Sequence, residues 1–203
     1  MFSVGYAENY GCKNAHKCGS EDAGVYVEDA IRNRRSIRKY QKRPVPESLI
    51  RLLLDLSRYA PSSMNGQPWH FVIARDSATK SALAEIKNRY CPPKKRAYRA
   101  DFLKEATVLV VCVEKERSHD RIIENAVLAA AMFILAAHGL GLGTVYMSAY
   151  QKGKPALMKE ISSLLRLPKN ILPISIVPFG YPAEVAGTKE VRELKEITHF
   201  DHF

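Results

Sequence analysis

The 203 residues are 46% apolar and 26% charged, with 11 Gly and 11 Pro, which is the make-up of an ordinary globular domain. Disordered, collagenous and disulfide-knotted classes are excluded, and the longest uninterrupted apolar run, Ala126 to Ala137, falls short of the about 20 residues a membrane helix needs. The net charge of +10 is local: positions 32–43 hold seven basic and no acidic side chains, and 87–104 hold seven against Asp101 alone, so the chain either builds anion sites or presents a polyanion-binding face.

Residues 1–22 are small, polar and aperiodic and read as a loose arm ahead of one domain over 23–203. They lack a basic stretch followed by an apolar one, so the expected location is the cytoplasm, with no membrane segment. Cys12, Cys18, Cys91 and Cys112 are then expected as thiols, Cys91 at the surface. Cys12, His16 and Cys18 offer three soft ligands where zinc or an iron–sulfur cluster takes about four, so no metal is expected.

In chain order, a short helix is predicted over 25–33 with Val27, Ala30 and Ile31 on one face. A second runs from Pro46, placed at the first helical position, to Tyr59, burying Leu49, Ile50, Leu53, Leu56 and Ala60. Trp69 to Ala74 reads as a strand, and Asp76 or Ser77 caps a helix to Asn88. Thr107 to Val113 is apolar on both faces and reads as a central strand. Ser118 or Asp120 caps a long helix to His138, apolar on nearly every side and so expected buried or packed on a partner subunit. Strands over 143–146 and 173–179 flank a helix over 155–165. Helices interleaved with strands give a layered α/β or α+β fold.

Three stretches carry candidate chemistry. Arg34-Arg35-Ser36-Ile37-Arg38 sets three guanidiniums and a hydroxyl within five positions, suited to a phosphate or to a solvated helix end. Pro61-Ser62-Ser63-Met64-Asn65-Gly66-Gln67-Pro68 is either a plain turn or a set of hydrogen-bonding groups for the edge of a heteroaromatic ring. Gly139-Leu140-Gly141-Leu142-Gly143 leaves a helix and enters a strand, the reverse of a dinucleotide loop, and reads as a helix stop. G-x-S-x-G and H-E-x-x-H motifs are absent from the sequence.

In order, these stretches resemble the FMN-dependent nitroreductase family from about Val25 onward. The resemblance implies an α+β fold, with a small central mixed or antiparallel sheet covered by helices, in an intertwined homodimer. It implies FMN as cofactor, with Arg34, Arg35, Ser36 and Arg38 at the phosphate and ribityl chain. Pro61, Ser62, Ser63, Asn65 and Gln67 would meet the flavin across the dimer interface, and Tyr146, Met147, Ser148 and Ala149 would lie at its N5 and O4 edge. Lys189 or Arg192, after Pro178-Phe179-Gly180-Tyr181-Pro182-Ala183-Glu184, would close on the phosphate. No side chain is assigned as catalytic.

Relatives often place Glu-Gly or Gly-Gly where Ser148-Ala149 stand, and a lysine where Asp101 stands; Arg38, Arg96 or Arg99 would then face N1 and O2. The implied activity is ping-pong transfer from NADH or NADPH to a nitroaromatic, quinone or similar small-molecule acceptor. Dehalogenase or flavin-cleaving chemistry on the same fold is one alternative. A basic nucleic-acid-binding protein is the other, although no nucleic acid is expected under the family reading.

Overall fold

The computed structural model describes residues 27–92 and 99–203; the expected arm, Cys12, His16, Cys18, the start of the first helix and Arg96 lie outside them. Helix α1 is Val27–Asn33, α2 Glu47–Ser57, α3 Ser77–Arg89, α4 Ile122–Gly139 and α5 Pro155–Leu164. The strands are β1 Trp69–Ala74, β2 Thr107–Glu114, β3 Gly143–Thr144, β4 Met147–Ser148 and β5 Ile171–Gly180. They form one antiparallel sheet in the order β1-β2-β5-β3, with β4 also paired to β5.

Residues Val108 to Val113 of β2 are buried, so successive side chains feed the two faces of the sheet alternately. On one face Leu109, Val111 and Val113 meet Leu49, Ile50 and Leu53 of α2 and Ala126, Ala129, Ala130 and Phe133 of α4. Phe133 sets its edge on Phe179 of β5, with centroids 5.0 Å apart and planes at 73°, the favoured aromatic arrangement. On the other face Val108, Val110 and Cys112 meet Leu83, Ala84 and Ile86 of α3 and Leu157 and Ile161 of α5. Burial there pushes the Cys112 thiol up to about 12, which keeps it protonated and inert.

Several elements depart from expectation. Asp76 caps α3 through the Thr79 amide at 2.8 Å, but Pro46 precedes α2 instead of opening it, and Leu56 faces outward. Neither Ser118 nor Asp120 caps α4. The Ser118 hydroxyl turns back to the Glu114 carbonyl, and Asp120 lies in the left-handed turn with His119, at φ 58° and 47°.

The strand expected over 143–146 stops at Thr144 and pairing resumes only in β4, beyond the expected end, with Pro178 of β5 opposite the gap between β3 and β4. Proline has no amide to donate there, and its carbonyl accepts from the Tyr40 hydroxyl at 3.3 Å.

Helix α4 is 18 residues long and apolar enough to cross a membrane by length and composition, which counting only its uninterrupted apolar run passed over. Its Ala126, Ala129, Ala130, Phe133 and Ala137 stripe instead forms the core. Ile123, Val127, Leu128 and Met132 stay exposed, and so do Val27 and Ile31 of α1. The apolar stripe expected to bury α1 therefore has only Ala30 inside. The glycine run ends α4 as read: Leu142 N–H bonds to the Ala137 carbonyl and Gly141 N–H to His138, with Gly141 at φ 76°, a Schellman stop.

Candidate functional site

Residues 34–41 lie along the sheet margin. Ser36 bridges Thr144 in parallel and Tyr40 bridges Pro182 antiparallel, through Ile37 N–H to the Thr144 carbonyl and Gln41 N–H to Tyr181, each 2.9 Å. Ile37 sits against Gly143, where a Cβ would be 2.8 Å from the Ile37 Cβ; only glycine admits this approach. The Glu184 carboxylate accepts from the amides of both Arg38 and Lys39. The first arginines, β3 and the segment after β5 are thus joined.

The margin is cationic. Arg35 donates to the carbonyls of Arg32 at 2.7 Å, Arg34 at 3.0 Å and Gly187 at 3.2 Å, so this guanidinium also clasps the C-terminal segment. Arg192 reaches Glu196 at 3.5 Å, and Lys189 is exposed. His138, at the end of α4, is held below its ordinary value by burial first and then by Arg34 and Arg35.

Along β5, the Tyr146 hydroxyl accepts from Ser175 Oγ at 3.1 Å, and Ala149 N–H bonds to the Ile174 carbonyl at 2.8 Å. The Ser148 carbonyl accepts from Lys87 Nζ at 2.6 Å. Burial pushes Lys87 below the usual lysine range, with Lys154 adding to the drop against a nearby Cys91. Sequence reading counted Lys87 in the second basic run, open to an anion site or a polyanion-binding face, because spacing on α3 does not reveal what lies across it. The other described members of that run are also engaged: Arg89 pairs with Glu160 at 2.6 Å, and Arg99 and Lys104 with Asp101 at 2.9 and 3.5 Å.

The Pro61–Gln67 stretch is elsewhere. It enters β1 at Trp69, which pairs with Val113, whereas Gly143 and Thr144 pair with Gly180 and Phe179 at the other end of β5. Asn125 in the first turn of α4 holds the loop, its Oδ1 accepting from Ser63 N–H at 3.0 Å. At about 1.5 Å rise per residue, Asn125 and His138 are about 20 Å apart along the helix. One chain therefore does not bring its arginines and its Ser-Asn loop together.

The loop is rigid by construction. Ser62 Oγ accepts from Gln67 N–H at 3.0 Å, and Asn65 Oδ1 from Gln67 Nε2 at 3.1 Å. Met64, Asn65 and Gln67 are left-handed at φ 49°, 54° and 45°, a conformation costing non-glycine residues about 1 kcal/mol or more each, which persists only where surroundings enforce it. Sequence reading missed Asn125 as the anchor, since a single amide in an apolar helix carries no motif.

The sequence profile of the Nitroreductase family matches residues 31–181. A protein of Methanothermobacter thermautotrophicus with the provisional name NADH dehydrogenase/NAD(P)H nitroreductase is 36% identical over 168 residues, covering 81% of this chain and 82% of that protein. An iodotyrosine deiodinase of Thermotoga neapolitana is 29% identical over 170 residues, covering 76% of this chain and 87% of its own. The solved FMN-dependent nitroreductase of Clostridium difficile R20291 superposes with a TM-score of 0.76 at 26% identity, over 87% of this chain and 99% of that one. The chain belongs to the Nitroreductase family, and its antiparallel sheet with helices on both faces is that family's α+β fold.

Proposed function

We propose that the chain is an FMN-dependent oxidoreductase, taking electrons from NADH or NADPH and passing them to a nitroaromatic, quinone or similar acceptor, and that it works as a homodimer. The observation that carries this reading is the separation of the motif set: the arginine margin and the Ser62–Gln67 loop sit at opposite ends of α4, and a second copy would bring one to the other. The exposed α4 face of Ile123, Val127, Leu128 and Met132 supplies an apolar surface for that copy. So does the C-terminal segment, whose Val191, Leu194, Ile197 and Phe200 are exposed within the chain.

The residues suit an anionic flavin nucleotide. Arg34 and Arg35 give charge-assisted donors for a phosphate of about two charges, with Ser36 beside them and Lys189 or Arg192 closing from the tail. The Thr144 hydroxyl, on the residue bridged to Ser36, is buried without a hydrogen-bond partner, a group that a bound polar ligand would satisfy. The flavin, when bound, supplies the hydride chemistry.

This chain's part is placement and charge. The Ser62, Ser63, Asn65 and Gln67 groups orient the ring edge from the other subunit. Tyr146, Met147, Ser148 and Ala149 stand at its N5 and O4 edge. Arg38 balances negative charge on the ring, by the logic of preorganised donors. With no acid or base side chain required, donor and acceptor occupy the same face in turn, which gives ping-pong kinetics.

The test is the visible spectrum of the purified protein, followed by steady-state assays with both nicotinamides. A yellow protein releasing FMN and reducing a nitroarene with parallel double-reciprocal lines is expected. A colourless protein that takes up no FMN and binds RNA or DNA with steep salt dependence would overturn the reading. Reductive dehalogenation is a second reading, favoured by the iodotyrosine deiodinase among the relatives; competing 3-iodotyrosine against a nitroarene separates the two.

A further inference from the structure

We infer that Asn125, assisted by Arg117, is a positioning residue for the cofactor site of the opposite subunit, acting through the 62–67 loop; the inference rests on the reading of the chain as an FMN-binding homodimer. Asn125 is 1% exposed within the apolar inner stripe of α4. A buried amide is costly unless both its ends are paired, and here both are: Oδ1 accepts from Ser63 N–H at 3.0 Å and Nδ2 donates to the Ser118 carbonyl at 3.1 Å. Asn125 thus joins two loops that each contain left-handed non-glycine residues, Met64, Asn65 and Gln67 in one and His119 and Asp120 in the other.

Arg117 closes the same loop from outside, its Nε donating to the Gly66 carbonyl at 3.1 Å. The fit leaves no slack, since a Cβ on Gly66 would lie 2.2 Å from the Arg117 carbonyl oxygen. Val127 and Leu128, two and three residues beyond Asn125, are on the exposed apolar face of the same helix. The element that sets the loop is therefore the element that meets the second copy. Because the loop stands about 20 Å along α4 from the chain's own arginines, its geometry matters to the other chain's site.

The experiment uses differently tagged full-length chains, co-expressed and purified as mixed dimers, with FMN per dimer as readout. Homodimers of Asn125→Ala are expected to bind FMN about tenfold to a hundredfold more weakly than wild type, while remaining dimeric. Arg34→Ala/Arg38→Ala serves as the arginine-end lesion. With the two lesions on different chains, one site draws both intact halves, and one FMN per dimer is expected. With both lesions on one chain, each site receives one damaged half, and none is expected.

The reverse pattern, or unchanged FMN affinity in Asn125→Ala, overturns the inference. If Asn125→Ala does not fold, the exposed Arg117→Ala takes its place, with FMN affinity expected to fall about threefold to tenfold at unchanged melting temperature; unchanged affinity overturns the inference there too. Wild-type dimers that bind no FMN overturn the underlying reading as well, so the two failures are distinct.

Discussion

At the C-terminal end of α4 the chain is tied down through its main chain, by the Ser36–Thr144 and Tyr40–Pro182 bridges and the Glu184 carboxylate, and the guanidiniums gather around those ties. At the N-terminal end the polar groups are neutral, and they are held by side chains, Asn125 and Arg117, in a backbone that is left-handed at three of four positions from Met64 to Gln67. Each end also has one glycine in forced contact, Gly143 against Ile37 and Gly66 against Arg117. An anion needs charge more than exact placement, because attraction falls off gradually with distance. A planar ring edge needs hydrogen-bonding groups in fixed positions, because such bonds weaken steeply with angle. The difference in construction follows the difference in what each end must hold.

If the two ends serve one site only across a dimer, separating the copies should have the largest effect. Val127→Glu places a carboxylate on the exposed α4 face, where association would strip it of water. Dimer dissociation measured by sedimentation should become at least about a hundredfold easier, a change of about 3 kcal/mol, with FMN lost in parallel. A monomer that keeps FMN would mean that the ends meet within one chain after all.

The next contrast is between the two glycines. Gly66→Ala drives a Cβ to 2.2 Å from a main-chain oxygen, which two anchored loops cannot yield without shifting, so a stability loss of about 1–3 kcal/mol is expected by urea unfolding. Gly143→Ala brings its Cβ to 2.8 Å from the Ile37 side chain, a milder overlap than the 2.2 Å at Gly66. A smaller loss is expected, with the anion-binding margin disturbed instead of the loop. Equal losses would show that both ends are equally rigid.

Much of this arrangement was legible because it is local. Thr107 to Val113 announces a covered strand by being apolar on both faces, Asp76 announces a cap, and Gly141 stops α4 where a left-handed residue was required. The margin and the loop were visible as residue types in order, and the family resemblance gave them a ligand.

What escaped depends on contacts far apart in sequence. Asn125 and Lys87 reveal their partners Ser63 and Ser148 only when α4 and α3 are laid against segments about 60 positions away. The split of β3 from β4 depends on where Pro178 falls across the sheet. Val27 and Ile31 read as core because the pattern is apolar, yet periodicity does not say whether the cover comes from the same chain.

The smallest expected effect is a pH dependence confined to the arginine end. His138 has a folded-state pKa below its ordinary 6.5 because of burial and of Arg34 and Arg35. Between the two values the unfolded chain holds the extra proton, so stability rises with pH through that window and levels off above about 6.5. Urea unfolding of the FMN-free protein from pH 5 to 8 should show this rise, and His138→Gln should flatten it. Saturating FMN should flatten it as well, since a phosphate among the arginines offsets the field that disfavours the imidazolium. Gly66→Ala should leave the slope unchanged. A slope altered by the distant loop and indifferent to His138 would place the titrating group at the other end of α4.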